Sequence, residues 1–217
     1  MLIGFYNYSV ILTYIGLCSS LYGITCAMSG GNLNYKIAFC CLIFSGVCDM
    51  FDGKIARHHP NRSEEAKCFG IQIDSLCDLI CFGVFPAILA NSVVYGPFWA
   101  SGGHWLAKVG GALFVLAAVI RLGFYNVKEM QRQKETDENR KFFQGLPVTS
   151  SALIFPLIYA VTNIMGQAPA KASVAYVVML YVVAFLMVWD IRVKKPGVKE
   201  AVVLGVIGAL IVAGVLI

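Results

Sequence analysis

The sequence is short of charge. Of its 217 residues only 13% are Asp, Glu, Lys or Arg, while 59% are apolar, and the mean hydropathy is +0.74. A soluble globular chain carries roughly 25% charged and roughly 45–50% apolar residues. So few charges cannot cover a water-facing surface, which excludes a soluble domain, a disordered chain, a secreted disulfide scaffold and a nucleic-acid-binding domain. Strand-length alternation of apolar and polar residues is missing too, which argues against a transmembrane β-barrel. What remains is an all-α, polytopic membrane helix bundle, because a helix satisfies its own backbone polar groups in lipid. The basic n-region and small-residue cleavage site of a signal peptide are lacking. The eight cysteines include no C-x-x-C pair. They are expected to pack as small hydrophobes rather than to bind metal or cycle redox state.

What is present is a series of apolar runs near the length of about 20 residues that spans a bilayer. They give seven candidate spans: 9–28, 34–56, 71–95, 105–127, 147–165, 170–190 and 198–217. Short connectors make neighbours antiparallel, and with no internal repeat the chain is expected to be a single integral membrane domain, 1–217. Two connectors are polar, 57–69 (where Pro60 ends any helix that enters it) and 128–144, and a basic cluster at Arg192, Lys194, Lys195 and Lys199 precedes the last span. Of the 17 lysines and arginines, all but Lys36, Lys108 and Lys171 fall on one side of this arrangement. The positive-inside rule makes that side cytoplasmic. The N-terminus is then expected in the cytoplasm and the C-terminus outside. All twelve acidic residues also lie in the cytoplasmic half or its connectors, so the chemistry is expected to face the cytoplasm.

Four of those acids stand within the helices flanking the first cytoplasmic connector. Asp49 and Asp52 are spaced i,i+3 on the second helix, and Asp74 and Asp78 are spaced i,i+4 on the third, so each pair shares a face. Counting from the helix ends at ~1.5 Å per residue puts Asp49 and Asp78 at a common depth of roughly 12 Å. Four unpaired carboxylates near membrane depth would repel one another and shed their charge. A divalent cation removes that problem, and oxygen-only ligation favours magnesium, manganese or calcium over zinc. Two such ions form a clamp for displacement at phosphorus. An ion relay lining a transport path is the competing use of such a cluster.

Written out, the segment is Asp49-x2-Asp52-Gly53-x2-Ala56-Arg57-x12-Gly70-x3-Asp74-x3-Asp78. Gly53 and Ala56 remove bulk beside the acids, so that a phosphate or flat group can approach the backbone. Arg57 supplies a cation for a phosphate. The pattern resembles the signature of the CDP-alcohol phosphotransferase family at every fixed position. The resemblance implies a bundle of membrane helices, commonly homodimeric, that transfers a phosphatidyl or related group from a CDP-linked donor to an alcohol and releases CMP. It implies that Asp49, Asp52 and Asp74 hold two divalent ions, Mg2+ or Mn2+. Asp78 would stand near the acceptor hydroxyl as ligand and general base. It further implies that Asp52, Gly53, Ala56, Arg57 and Gly70 receive the CDP donor.

Direct attack of the alcohol needs no enzyme nucleophile. Consistent with that, none of the three histidines, His58, His59 and His104, begins an H-x-K-x4-D phosphohistidine motif. His58 and His59 are read mainly as loop residues, with a headgroup contact as the alternative, and His104 as interfacial.

Three further stretches resemble one branch of that family, the membrane-integral phosphatidylserine synthases. They are Phe69-Gly70-x3-Asp74-Ser75-Leu76-x-Asp78-x3-Phe82-Gly83-Val84-x-Pro86-Ala87, Arg121-Leu122-x2-Tyr125-Asn126-Val127, and Phe143-x-Gly145-Leu146-Pro147. This implies CDP-diacylglycerol and L-serine as partners, within membrane lipid. A charged residue inside an apolar helix is a functional candidate by default. Arg121 is such a residue, and with Asn126 it is the candidate acceptor site; a snorkelling arginine is the plain alternative. A synthase using glycerol 3-phosphate or inositol is the second reading within the family, and a small ion-coupled transporter the rival class. Gly205, Ala209 and Ala213 form a small-residue stripe on the last span, a packing seam within the chain or between two copies.

Overall fold

The structure is a computed structural model that describes residues 4, 8–57, 63–94, 104–135, 142–166, 169–194 and 198–216. Its helices are α1 (Tyr8–Ser29), α2 (Asn32–Arg57), α3 (Glu64–Asp78), α4 (Phe85–Val93), α5 (His104–Glu135), α6 (Ser151–Ile164), α7 (Pro169–Val188) and α8 (Val198–Leu216). A π-helical turn, Leu79–Val84, joins α3 to α4 without a break, and a 3-10 turn, Val148–Ser150, leads into α6. Among the described residues these form seven rods running up and down through one all-α bundle. Four of them contain stretches long and apolar enough to cross a membrane: Val10–Ser29, Asn32–Asp52, Cys68–Val93 and His104–Arg132. The segments Val148–Ile164, Ala172–Val188 and Val203–Leu216 are apolar but shorter.

The seven expected spans correspond to the seven rods, with two extensions. The third rod begins at Glu64, where Ser63 caps it by accepting from the Ala66 N–H. The fourth runs on to Glu135, so the first part of the 128–144 connector is helix, carrying the Glu129–Arg132 ion pair at 2.6 Å. Neither segment is apolar, and apolar runs alone do not mark polar helix ends. The other departure is a small antiparallel ribbon, β1 (Phe142–Gln144) with β2 (Arg192–Lys194), which pairs Phe143 with Val193.

Small residues let the rods approach closely, as in other membrane bundles. Gly30 and Gly31, at φ +69° and +90°, turn the chain between α1 and α2. The two helices then lock through Ser45, whose hydroxyl lies 2.8 Å from that of Ser20 and 2.8 Å from the Gly16 carbonyl. Between α8 and α6, a Cβ at Gly214 would lie 2.9 Å from that of Ala160. The expected stripe of α8 is turned the other way: Gly205, Ala209 and Ala213 are exposed, while Gly208, Ile211, Gly214 and Val215 face the bundle. The described residues thus place intrachain packing on the adjacent face.

One half of the bundle is filled by aromatics. The Phe39 and Tyr159 rings lie 4.6 Å apart, Phe155 and Tyr176 6.3 Å, and Phe114 meets Phe155 edge-on at 5.6 Å. At the end beyond this layer, Tyr35 donates to the Ser92 carbonyl at 2.8 Å and Lys36 to the Leu216 carbonyl at 3.0 Å. The start of α2 and the ends of α4 and α8 therefore share one end of the bundle, as alternating spans require. All eight cysteines are free thiols, four of them buried.

Candidate active site

At the other end, α2 and α3 bring their acids together. One carboxylate oxygen from each of Asp49, Asp74 and Asp78 lies within 4.8 Å of the other two, and all three residues are partly exposed. Asp49 and Asp78, expected at one depth, both belong to this grouping. Asp52 is outside this 4.8 Å grouping. It is 5% exposed, and its Oδ2 accepts a 2.7 Å hydrogen bond from the Thr13 hydroxyl of α1.

Three oxygens at these separations fit one hard cation, since ligand distances of about 2.1–2.5 Å place neighbouring ligand oxygens about 3–5 Å apart. Carboxylate-only donors suit magnesium, manganese or calcium.

The other expected residues fall as follows. Gly70 is on α3 two turns before Asp78, and nothing among the described residues lies within 4 Å of where its Cβ would be. Gly53, Ala56 and Arg57 lie at the end of α2, where the structure describes the backbone course alone. His58 and His59 lie outside the described residues.

Arg121 is on the bundle side of α5, 7% exposed, with its guanidinium carbon 4.4 Å from the Tyr125 ring centroid. It is close enough to Asp78 to interact electrostatically. Its buried Nε has no hydrogen-bond partner among the described residues. A buried donor without a partner is costly.

Asn126, one turn on, is engaged: its Oδ1 accepts from the Ser75 hydroxyl at 2.6 Å, tying α5 to the stretch of α3 between Asp74 and Asp78. The Tyr125 hydroxyl accepts from the Gln144 N–H at 2.5 Å and donates to the Gln144 carbonyl at 3.2 Å. This fixes β1 beside Arg121. Behind β1, Gly145 takes φ +72° and donates its N–H to the Ile191 carbonyl at 2.8 Å. A Cβ there would meet the Met187 carbonyl oxygen at 2.5 Å. That close approach explains the glycine of the Phe143-x-Gly145-Leu146-Pro147 stretch.

Thr13 has no mark in the sequence, since a lone hydroxyl in an apolar helix gives no pattern; Ser75 is legible only as part of the Asp74-Ser75-Leu76-x-Asp78 stretch, which does not reveal its bond to Asn126.

The profile of the CDP-alcohol phosphatidyltransferase family matches residues 6–212, and the chain belongs to that family. It is similar to the CDP-diacylglycerol–serine O-phosphatidyltransferase of Helicobacter pylori, 27% identical over 73% of this chain and 62% of that protein. The protein of the same name in Saccharomyces cerevisiae is 35% identical over 55% of this chain and 40% of that one. That of Methanocaldococcus jannaschii is 26% identical over 73% and 64%. The chain thus spans between 40% and 64% of the length of these three relatives. Membership of this family and the long apolar helices make it a multi-pass membrane protein.

Proposed function

We propose that the chain, as one catalytic domain, transfers a phosphatidyl group from CDP-diacylglycerol to L-serine, giving phosphatidylserine and CMP. The observation that carries this reading is the meeting of Asp49, Asp74 and Asp78 within 4.8 Å, with buried Arg121 beside Asp78. The names of the relatives support serine as acceptor.

In this reading Asp49, Asp52, Asp74 and Asp78 hold a divalent pair, Mg2+ or Mn2+. When bound, it supplies the positive charge that neutralises a diphosphate and favours CMP as leaving group. Thr13 orients the Asp52 carboxylate. The open flank of Gly70, with Gly53, Ala56 and Arg57 at the end of α2, receives the cytidine diphosphate. Arg121 pairs with the serine carboxylate and orients the hydroxyl toward Asp78, which takes its proton as the hydroxyl oxygen attacks phosphorus. Tyr125 holds Arg121 through its ring face. No side chain is needed as a nucleophile. The cytoplasmic face bears the site, and two copies assemble in the membrane.

The aromatic layer of Phe39, Phe114, Phe155 and Tyr176, all 0% exposed, favours an enzyme over a transporter, because it fills the bundle where a transport path would have to run. The test is CMP release from CDP-diacylglycerol by the purified protein, supplied in turn with serine, glycerol 3-phosphate and inositol, with magnesium or manganese and then with chelator.

A further inference from the structure

Asp74 and Asp78 occupy the last turns of α3, and immediately after them the helix changes gauge. The Leu79 N–H still reaches the Ser75 carbonyl four residues back, but the Phe85 N–H bonds to the Ile80 carbonyl five residues back. One extra residue in a turn rotates everything beyond it by about 100° relative to an unbroken α-helix. That rotation decides what the two halves of the rod can face. Before it, Asp74 and Asp78 meet Asp49. Beyond it, Phe85 and Leu89 are fully buried in the core. In an unbroken helix Phe85, seven residues after Asp78, would lie on nearly the same side as Asp78. The π turn sets the phase between the two halves of the rod.

Two features hold that turn in place. Pro86 has no N–H, so the Phe82 carbonyl four residues earlier has no α-helical donor. Ser151, the first residue of α6 and 0% exposed, donates its hydroxyl to that carbonyl at 3.0 Å. This bond reaches across 69 residues of sequence to another helix, whereas a serine in an apolar helix ordinarily bonds back to its own chain.

We propose that Ser151 is a positioning residue for the carboxylate site. By holding the Phe82 carbonyl it fixes the π turn, and so the helix phase at which Asp74 and Asp78 meet Asp49. The inference rests on the reading of these carboxylates as a cation site, and its test separates the two.

Free Mn2+ is measured by electron paramagnetic resonance during titration of the full chain in detergent, for the parent protein, Ser151→Ala, Ser151→Thr and Pro86→Ala, with a melting temperature for each. Ser151→Ala weakens Mn2+ binding by about 10-fold, the scale on which outer groups act on metal ligands, and Ser151→Thr restores it. Pro86→Ala returns an N–H opposite the Phe82 carbonyl and lets the helix close as α. It weakens Mn2+ binding while keeping or raising the melting temperature, so the proposal does not depend on the Ser151→Ala protein being stable. Parent-like Mn2+ binding in a folded Ser151→Ala or Pro86→Ala protein overturns the positioning role. A parent protein that binds no Mn2+ overturns the cation site beneath it.

Discussion

The Thr13 hydroxyl donates to Oδ2 of Asp52 across 2.7 Å, so that α1, which contributes no acid, reaches into the carboxylate site of α2 and α3. Groups that orient metal-ligating carboxylates typically matter by about 10–100-fold in metal affinity or activity. Thr13→Val is expected to raise the magnesium concentration for half-maximal activity about 10-fold, and Thr13→Ser to restore it. A magnesium titration of initial rates reads the difference.

Replacement of any one of Asp49, Asp52, Asp74 and Asp78 by Asn is expected to bring turnover to background while helix content by circular dichroism is unchanged. In the proposed function each loss removes both charge and geometry from a two-cation site. Activity of the parent protein should vanish in EDTA and return with magnesium or manganese. Full turnover in chelator would reject the cation site.

Arg121→Lys keeps the charge and loses the planar fork. It is expected to raise the apparent KM for serine on the order of 10-fold, as hydrogen bonds to charged groups do, with the KM for CDP-diacylglycerol unchanged. The opposite split would assign Arg121 to the donor phosphates.

Gly145→Ala combines a backbone at φ +72° with a Cβ 2.5 Å from the Met187 carbonyl oxygen. Strain of that kind costs of order 1–3 kcal/mol. A lower melting temperature in detergent is expected, with loss of the bonds that hold β1 beside Tyr125.

Orientation is tested by labelling. In a background without the eight native cysteines, Arg62→Cys and Glu135→Cys should both react from the cytoplasmic face alone. Reaction of either from outside would reverse the bundle.

Much of this architecture is legible in the sequence because lipid imposes one rule on every span. The apolar runs give the seven rods, and the spacing of Asp49, Asp74 and Asp78 gives their meeting, whereas Asp52 lies outside the 4.8 Å grouping. The polar ends at Glu64 and Lys128–Glu135 escape that rule, since they are helical without being apolar. The π turn leaves only an indirect mark, Gly83 and Pro86 following Asp78, because gauge depends on partners such as Ser151 on a distant helix. The ribbon at Phe142 and Arg192 is likewise a long-range pairing of two short segments. Thr13, Ser75 and Ser151 act through single hydroxyls, and one hydroxyl has no periodicity to read. The small-residue stripe shows the converse: Gly205, Ala209 and Ala213 have the spacing of a seam, yet Gly214 makes the close contact.

The central claim is direct transfer from CDP-diacylglycerol to serine at the carboxylate site. It is tested most directly by supplying purified protein with CDP-diacylglycerol, manganese and carbon-labelled L-serine, and counting labelled lipid against released CMP. One labelled phosphatidylserine per CMP is expected, with no CMP in the absence of an acceptor alcohol and none with Asp78→Asn. CMP released with glycerol 3-phosphate or inositol but not with serine, or no CMP with any alcohol, would contradict it.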